Sequence, residues 1–253
     1  MIKFFRKLRW STLSRKRFPK YFLYAMGEII LVVIGILIAL GINNWNQKRI
    51  SKDSLINYYE RIHDELSYIN PGLIYFSGDL DTLITANKRS LHILNLKNRD
   101  SLEQLKYTIG ALGTSYVTDA SFPITEEFLN QGNLARIQNK EIKVQFQRFG
   151  EWMIRLNSFD GYIKSQYATS IEPFFYDKVN YAQTVFSNYN QDGLVVGGPE
   201  TDYGQFYNDM ELWNLLTFKL ESLNGHSRDL KSFTAYIKTL DSLIVKEIKA
   251  TSK

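Results

Sequence analysis

Glu28 is the residue whose type and setting point most directly to chemistry, because it puts a carboxylate inside the long apolar run YFLYAMGEIILVVIGILIALGINNWN, residues 21–46. An ionised acid in hydrocarbon is costly, so such a group faces protein or water, carries a proton, or reaches for the interface and a cation such as Lys20. Beside it, Gly27, Gly35 and Ala39 recur at spacings of eight and four residues. Small side chains on one face let a second span approach closely, which points to a homodimer through this helix. Glu60 and His63 have the E-x-x-H spacing of half a carboxylate-bridged di-iron site. The other histidines, His92 and His226, follow Lys88-Arg89 and Ser222-Leu223, so no second half exists and no metal is expected. The chain has no G-x-S-x-G, Walker-type loop or Cys/His pair, and Gly110-Ala111-Leu112-Gly113 lacks the preceding strand of a phosphate loop. A protein without catalytic residues or cofactor is the expectation.

One more constellation concerns binding. The stretch 174–208 holds Phe174, Phe175, Tyr176, Tyr181, Phe186, Tyr189, Tyr203, Phe206 and Tyr207. Such rings either form a ligand surface for glycan or peptide or lock a long loop onto a core.

The elements that position these residues begin with the anchor. Phe22 to Ile42 meets the roughly 20 apolar residues that a helix needs to cross a bilayer. Eight basic residues and no acid precede it, against Lys48, Arg49 and Lys52 beyond it, so residues 1–20 form a cytoplasmic tail and residues 47–253 an exported, periplasmic domain of the bacterial inner membrane. Trp45 sits as an anchor at the outer interface, with Tyr21 and Tyr24 at the inner one. Ala39-Leu40-Gly41 has the form a signal peptidase accepts, but the charged leader and the length of the apolar run favour retention. The formal charge of +5 belongs wholly to the leader, since without it 23 Lys and Arg face 26 Asp and Glu. Nucleic acid is therefore excluded as a partner, and the tail matches an anionic lipid surface, with Ile2, Phe4, Phe5, Leu8 and Leu13 as a crude apolar face. With no cysteine, disulfides and lipidated thiols are ruled out.

Beyond the anchor the spacing predicts an all-α domain. A helix with Leu55, Tyr59, Ile62, Leu66 and Ile69 on one face leads to Asn70-Pro71, where a second helix or a kinked continuation starts and carries Leu73, Phe76, Leu80, Leu83, Leu91 and Leu94, interrupted by Asn87. Asp100 and Glu103 have capping-box spacing ahead of a helix closed by Gly113. Thr125 is expected to cap a short helix that runs to Asn130 and stops at Gly132. Asn139 caps a long helix with Ile142, Phe146, Phe149, Met153, Leu156, Ile163 and Tyr167 on one face, ending at Glu172-Pro173. An irregular excursion follows over 174–208, with a small hairpin around Asp192-Gly193. Helical spacing returns from Leu212 to Leu223, breaks at Gly225 and resumes from Leu230. The sum is an antiparallel helical bundle with one irregular aromatic-rich loop.

MIKFFRKLRW followed by YAMGEIILVVIGILIALGINNWN resembles the opening of a domain-of-unknown-function family of single-pass proteins from Bacteroidota bacteria. A second match is Gly132, Asn133, Leu134, Ile137, Asn139 and Glu141, similar to that family's G-N-L-x-x-I-x-N-K-E segment. The resemblance implies topology and fold and supplies no activity. A single short-tailed anchor with Glu28 near its cytoplasmic end is also similar to the smaller subunit of ion-driven stators, in which Glu28 would carry the proton. The function expected from the sequence is thus a membrane-tethered binding or scaffold domain with a membrane or periplasmic protein as partner. A stator-like subunit and a ligand-sensing input domain are the alternatives.

Overall fold

A computed structural model describes residues 18–186 and 197–251. They fall into two compact units, Met1–Leu55 and Ile56–Lys253. Among the described residues the regular structure is helical, without strands. The helices are α1 (Phe18–Asn95), α2 (Gly110–Gly113), α3 (Pro123–Asn130), α4 (Lys140–Gln166), α5 (Glu172–Lys178) and α6 (Met210–Thr251), with 3-10 turns at Arg99–Tyr107, Asn133–Arg136, Tyr181–Gln183 and Tyr203–Phe206. The domain is all-α, as expected.

The first unit is the early part of α1. Its described apolar side chains between Phe22 and Ile42 are exposed: Ile29, Leu31, Leu37 and Ile42 are each more than 60% exposed. A helix satisfies its own backbone groups, so this segment is long and apolar enough to lie in hydrocarbon.

In the second unit three long helices carry the core. His63 of α1 meets Asp241 of α6, and Asp81 meets Lys231, so the two run antiparallel. On α4, Asn139 meets Glu247 and Arg155 meets Asp229, so α6 is antiparallel to α4 as well. Between them lies an aromatic slab: Tyr59, Phe128 and Phe146 on one side, and Phe122 edge-on to Phe149 at 5.1 Å and to Phe233 at 5.7 Å on the other. The face read for α4 is the buried one, from Ile142 to Ile163, and Asn139 caps it by accepting from the amides of Glu141 and Ile142.

Of the two readings at Asn70-Pro71 the continuation holds, since α1 runs through Pro71, which lies exposed inside it. Leu66 and Leu73 are both buried and two turns apart, so packing on either side holds the helix across the missing N–H. Glu172-Pro173 does not end α4, because a π turn over Tyr167–Ile171 leads into α5 and its wider winding accommodates the proline. Gly225 does not interrupt α6, which is unbroken. A side chain there would stand 3.7 Å from Phe159, whose ring stacks on His226 at 4.9 Å. Conversely, the single helix expected over 100–113 is split, with Asn98 rather than Asp100 as its cap, and Thr108 at the break accepts a buried hydrogen bond from the Ser90 hydroxyl at 2.7 Å.

The segment after α4 is less irregular than expected. Phe174, Phe175, Tyr203 and Phe206 are buried in one cluster with Ile93, Leu105 and Leu212, whereas Tyr176 is exposed. The hairpin expected at Asp192-Gly193, and Tyr189, lie outside the described residues. Gly110 and Gly113 let this segment close: a Cβ on Gly110 would fall 1.8 Å from the Thr184 carbonyl oxygen, and one on Gly113 would fall 2.7 Å from the Tyr181 ring. Backbone cannot yield as a side chain does. Gly110→Ala is therefore expected to cost at least the ~1–3 kcal/mol of an overpacked core, measured by chemical denaturation of the chain in detergent, whereas Gly150→Ala, which meets nothing in the interior of α4, should stabilise by up to ~1 kcal/mol.

Candidate functional site

The residues singled out in the apolar helix stay apart from any internal partner. Glu28 is exposed and makes no ion pair among the described residues. Gly27 and Gly35 have open space where a Cβ would stand, and Ala39 is exposed, so the small-residue face is bare. Trp45 is 64% exposed and carries the Arg49 guanidinium 5.5 Å above its ring, while Arg49 donates to the Asn46 side chain. An aromatic ring backed by a cation is chemistry suited to a headgroup layer.

The second group, from Gly132 to Glu141, builds a corner. Gly132 takes a left-handed φ of 72°, which ends α3 as the sequence predicts. Asn133 is buried and donates to the Phe128 carbonyl, while its own oxygen accepts from Arg136 at 2.6 Å. Ile137 is buried and Leu134 half-buried. Asn139 also donates to Glu247 of α6 at 2.9 Å, and Tyr58 of α1 lies within hydrogen-bond distance of Glu127 and Gln131. These residues therefore join α3 and α4 to the other two long helices; they make a joint, with no reactive group among them. Glu60 is exposed, and His63 turns to Asp241. Among the described residues no group of three or more His, Asp or Glu is placed to hold a metal ion.

The most unusual chemistry lies where the sequence reading found none, on the chain between α2 and α3. Lys219 of α6 is wholly buried and makes no ion pair among the described residues. Its amine donates to the Thr114 carbonyl at 2.7 Å and stands 4.1 Å over the Tyr116 ring. Burial pushes that amine down to about 7. One turn and two turns further along α6 lie Ser222 and His226; the His226 Nε2 and the Thr118 hydroxyl are 2.7 Å apart, and burial lowers the imidazole below its ordinary range, against the pull of Asp160 and Asp229. Asp160 is buried on α4 and accepts from the amides of Thr118 and Asp119 at 3.0 and 3.1 Å. Glu65 of α1 completes the set by accepting from the Ile124 and Thr125 amides and the Thr125 hydroxyl at 2.7, 3.0 and 2.6 Å. So Thr125 is not the cap of α3: the helix starts at Pro123 and its first amides are satisfied from another helix. Burial also raises the Tyr116 hydroxyl, with the Ser222 side chain working against the rise, and among the described residues His226 Nδ1 has no hydrogen-bond partner.

Three polar side chains from three long helices thus hold one stretch of backbone. No apolar spacing could reveal them, although a lone charged residue on an otherwise apolar face, as Lys219 is between Leu216 and Leu223, is the one signal available.

Comparison with known proteins matches more than half of the chain, residues 28–172, to the family described as Family of unknown function (DUF6090). No curated protein and no solved structure matches the chain. The matched stretch holds Glu28, Glu65, Asp160 and the corner from Gly132 to Glu141, and stops short of α6 with Lys219.

A lysine depressed on folding binds fewer protons than in the unfolded chain between its folded and ordinary values, so stability rises with pH across that window. From pH 7 to about 9.5 the chain should gain stability with a slope of up to ~1.4 kcal/mol per pH unit, before tyrosine ionisation in the unfolded chain reverses the trend. Lys219→Met should flatten that rise in denaturant titrations, and an unchanged slope would show that the amine is charged in place.

Proposed function

The chain belongs to the DUF6090 family of unknown function, and from that premise we propose that it is a single-pass protein of the bacterial inner membrane whose helical unit lies in the periplasm and acts by binding a protein partner, not by catalysis. The observation that carries this reading is the run of bare apolar side chains on α1, from Phe22 to Ile42, which only lipid or another span can cover. The basic leader ahead of it supports a cytoplasmic tail.

The helical unit supports a scaffold more than a sensor of small ligands. Rings that would form a ligand surface, Phe174, Phe175, Tyr203 and Phe206, are packed inward, and the two basic groups on α6 whose proton affinity burial lowers, Lys219 and His226, have no exposed surface to offer a substrate. Two features of α1 support a further partner in the membrane. The open face at Gly27, Gly35 and Ala39 suits a second copy, and the unpaired Glu28 suits a stator-like role in which it carries a proton.

Protease added to intact spheroplasts should remove the helical unit, and digestion from the cytosolic side should spare it; the opposite pattern would overturn the orientation. E28Q at normal abundance and with unchanged assembly is the expected outcome for a tether, whereas loss of function with abundance intact would favour the proton carrier.

A further inference from the structure

The end of α1, the start of α6 and the chain just ahead of α6 border an open groove of about 320 Å³. Its floor is Leu94 and the fully buried Phe206. Its wall is Met210 and Trp213, which sit on the first turn of α6 and are 69% and 37% exposed. Exposed Trp and Met beside a groove have the composition of an interface anchor site rather than of a solvated surface.

The rim has its own chemistry. Lys97 and Asn208 both hold left-handed backbone, at φ 50° and 60°. Asparagine tolerates that conformation, but lysine does so at a cost of order 1 kcal/mol, at a helix end where glycine would serve the fold better. What lysine supplies in exchange is not used internally: among the described residues the Lys97 amine makes no ion pair, and the side-chain amides of Asn95 and Asn208 make no hydrogen bond. The acid on the rim, Asp209, is spent on the Leu212 amide at the head of α6. A groove with an apolar base and a polar rim is thus edged, among the described residues, by a free cation and two free amides.

We propose that this groove binds a segment of a partner protein that presents one large apolar side chain next to an aspartate or glutamate. The inference rests on the reading that the helical unit works by binding protein. The volume, near the low end of the ~300–1,000 Å³ of ligand sites, takes one anchor side chain with its backbone. The apolar side chain fills the space against Trp213 and Met210, the neighbouring carboxylate meets Lys97, and each amide offers a donor and an acceptor to the peptide groups flanking the anchor. Two amides match a chain that passes through, since a chain terminus has peptide groups on one side only.

The test uses the full chain in lipid nanodiscs and four synthetic peptides, titrated by calorimetry: acetyl-Ala-Leu-Asp-Ala-amide, the same peptide with alanine for leucine, the same with asparagine for aspartate, and acetyl-Ala-Ala-Leu with a free terminal carboxylate. The first peptide should bind, and each of the others about fivefold or more weaker. Met210→Ala, at a largely exposed position, should weaken the first peptide by about tenfold with the thermal melt unchanged, and Lys97→Gln should abolish the preference for aspartate over asparagine. Binding indifferent to both variants, preference for the terminal carboxylate, or no binding at all would overturn the proposal. The wider reading has a separate fate: a partner crosslinked to the wild-type helical unit in native membranes and still crosslinked after both substitutions would sink the groove alone, whereas no partner on any face would sink the binding role itself.

Discussion

Backbone polar groups brought into an apolar interior must be paired, and this requirement shapes the helical unit more than any other. The chain between α2 and α3 packs Thr114, Tyr116 and Phe122 into the core, where water cannot serve its amides and carbonyls. Asp160 from α4, Glu65 from α1 and Lys219 from α6 supply the partners. Phe122 is held as a consequence, and it is the ring that touches both Phe149 of α4 and Phe233 of α6. A short connection thereby ties three long helices into one body.

The lysine is the unusual member of that set. An ammonium ion without an ion-pair partner among the described residues is expensive in such a place, and the Tyr116 ring and one carbonyl compensate only in part. The depressed proton affinity of the amine follows directly. Buried acids fare better here because each accepts two or three hydrogen bonds from backbone or hydroxyl donors.

Close backbone approach is the second constraint. Gly110 and Gly113 admit the turn at Tyr181–Thr184, and this lets Phe175, Val179 and Tyr203 join Leu105 and Leu112 in one cluster. Once these rings are inside, the surfaces left for recognition are those the core does not claim. The groove beside Met210 and Trp213 is such a surface, and the exposed apolar run of α1 ahead of Leu55, long and apolar enough to cross a membrane, is another.

The sequence by itself determined whatever depends on near neighbours: the lipid-compatible run, the helical class, the buried face of α4, the Asn139 cap and the stop at Gly132. These are set within one or two helical turns, so spacing and residue type suffice. It misjudged Pro173 and Gly225, because a local penalty of a few kcal/mol is outweighed when packing on both sides keeps the helix in register. The site was legible only in tertiary structure: Lys219 meets Thr114 across 105 residues, Glu65 meets Thr125 across 60, and Asp160 meets Thr118 across 42. A side chain's partner at that separation leaves no trace in local pattern, since what selects it is a buried carbonyl or amide, and every residue carries those alike.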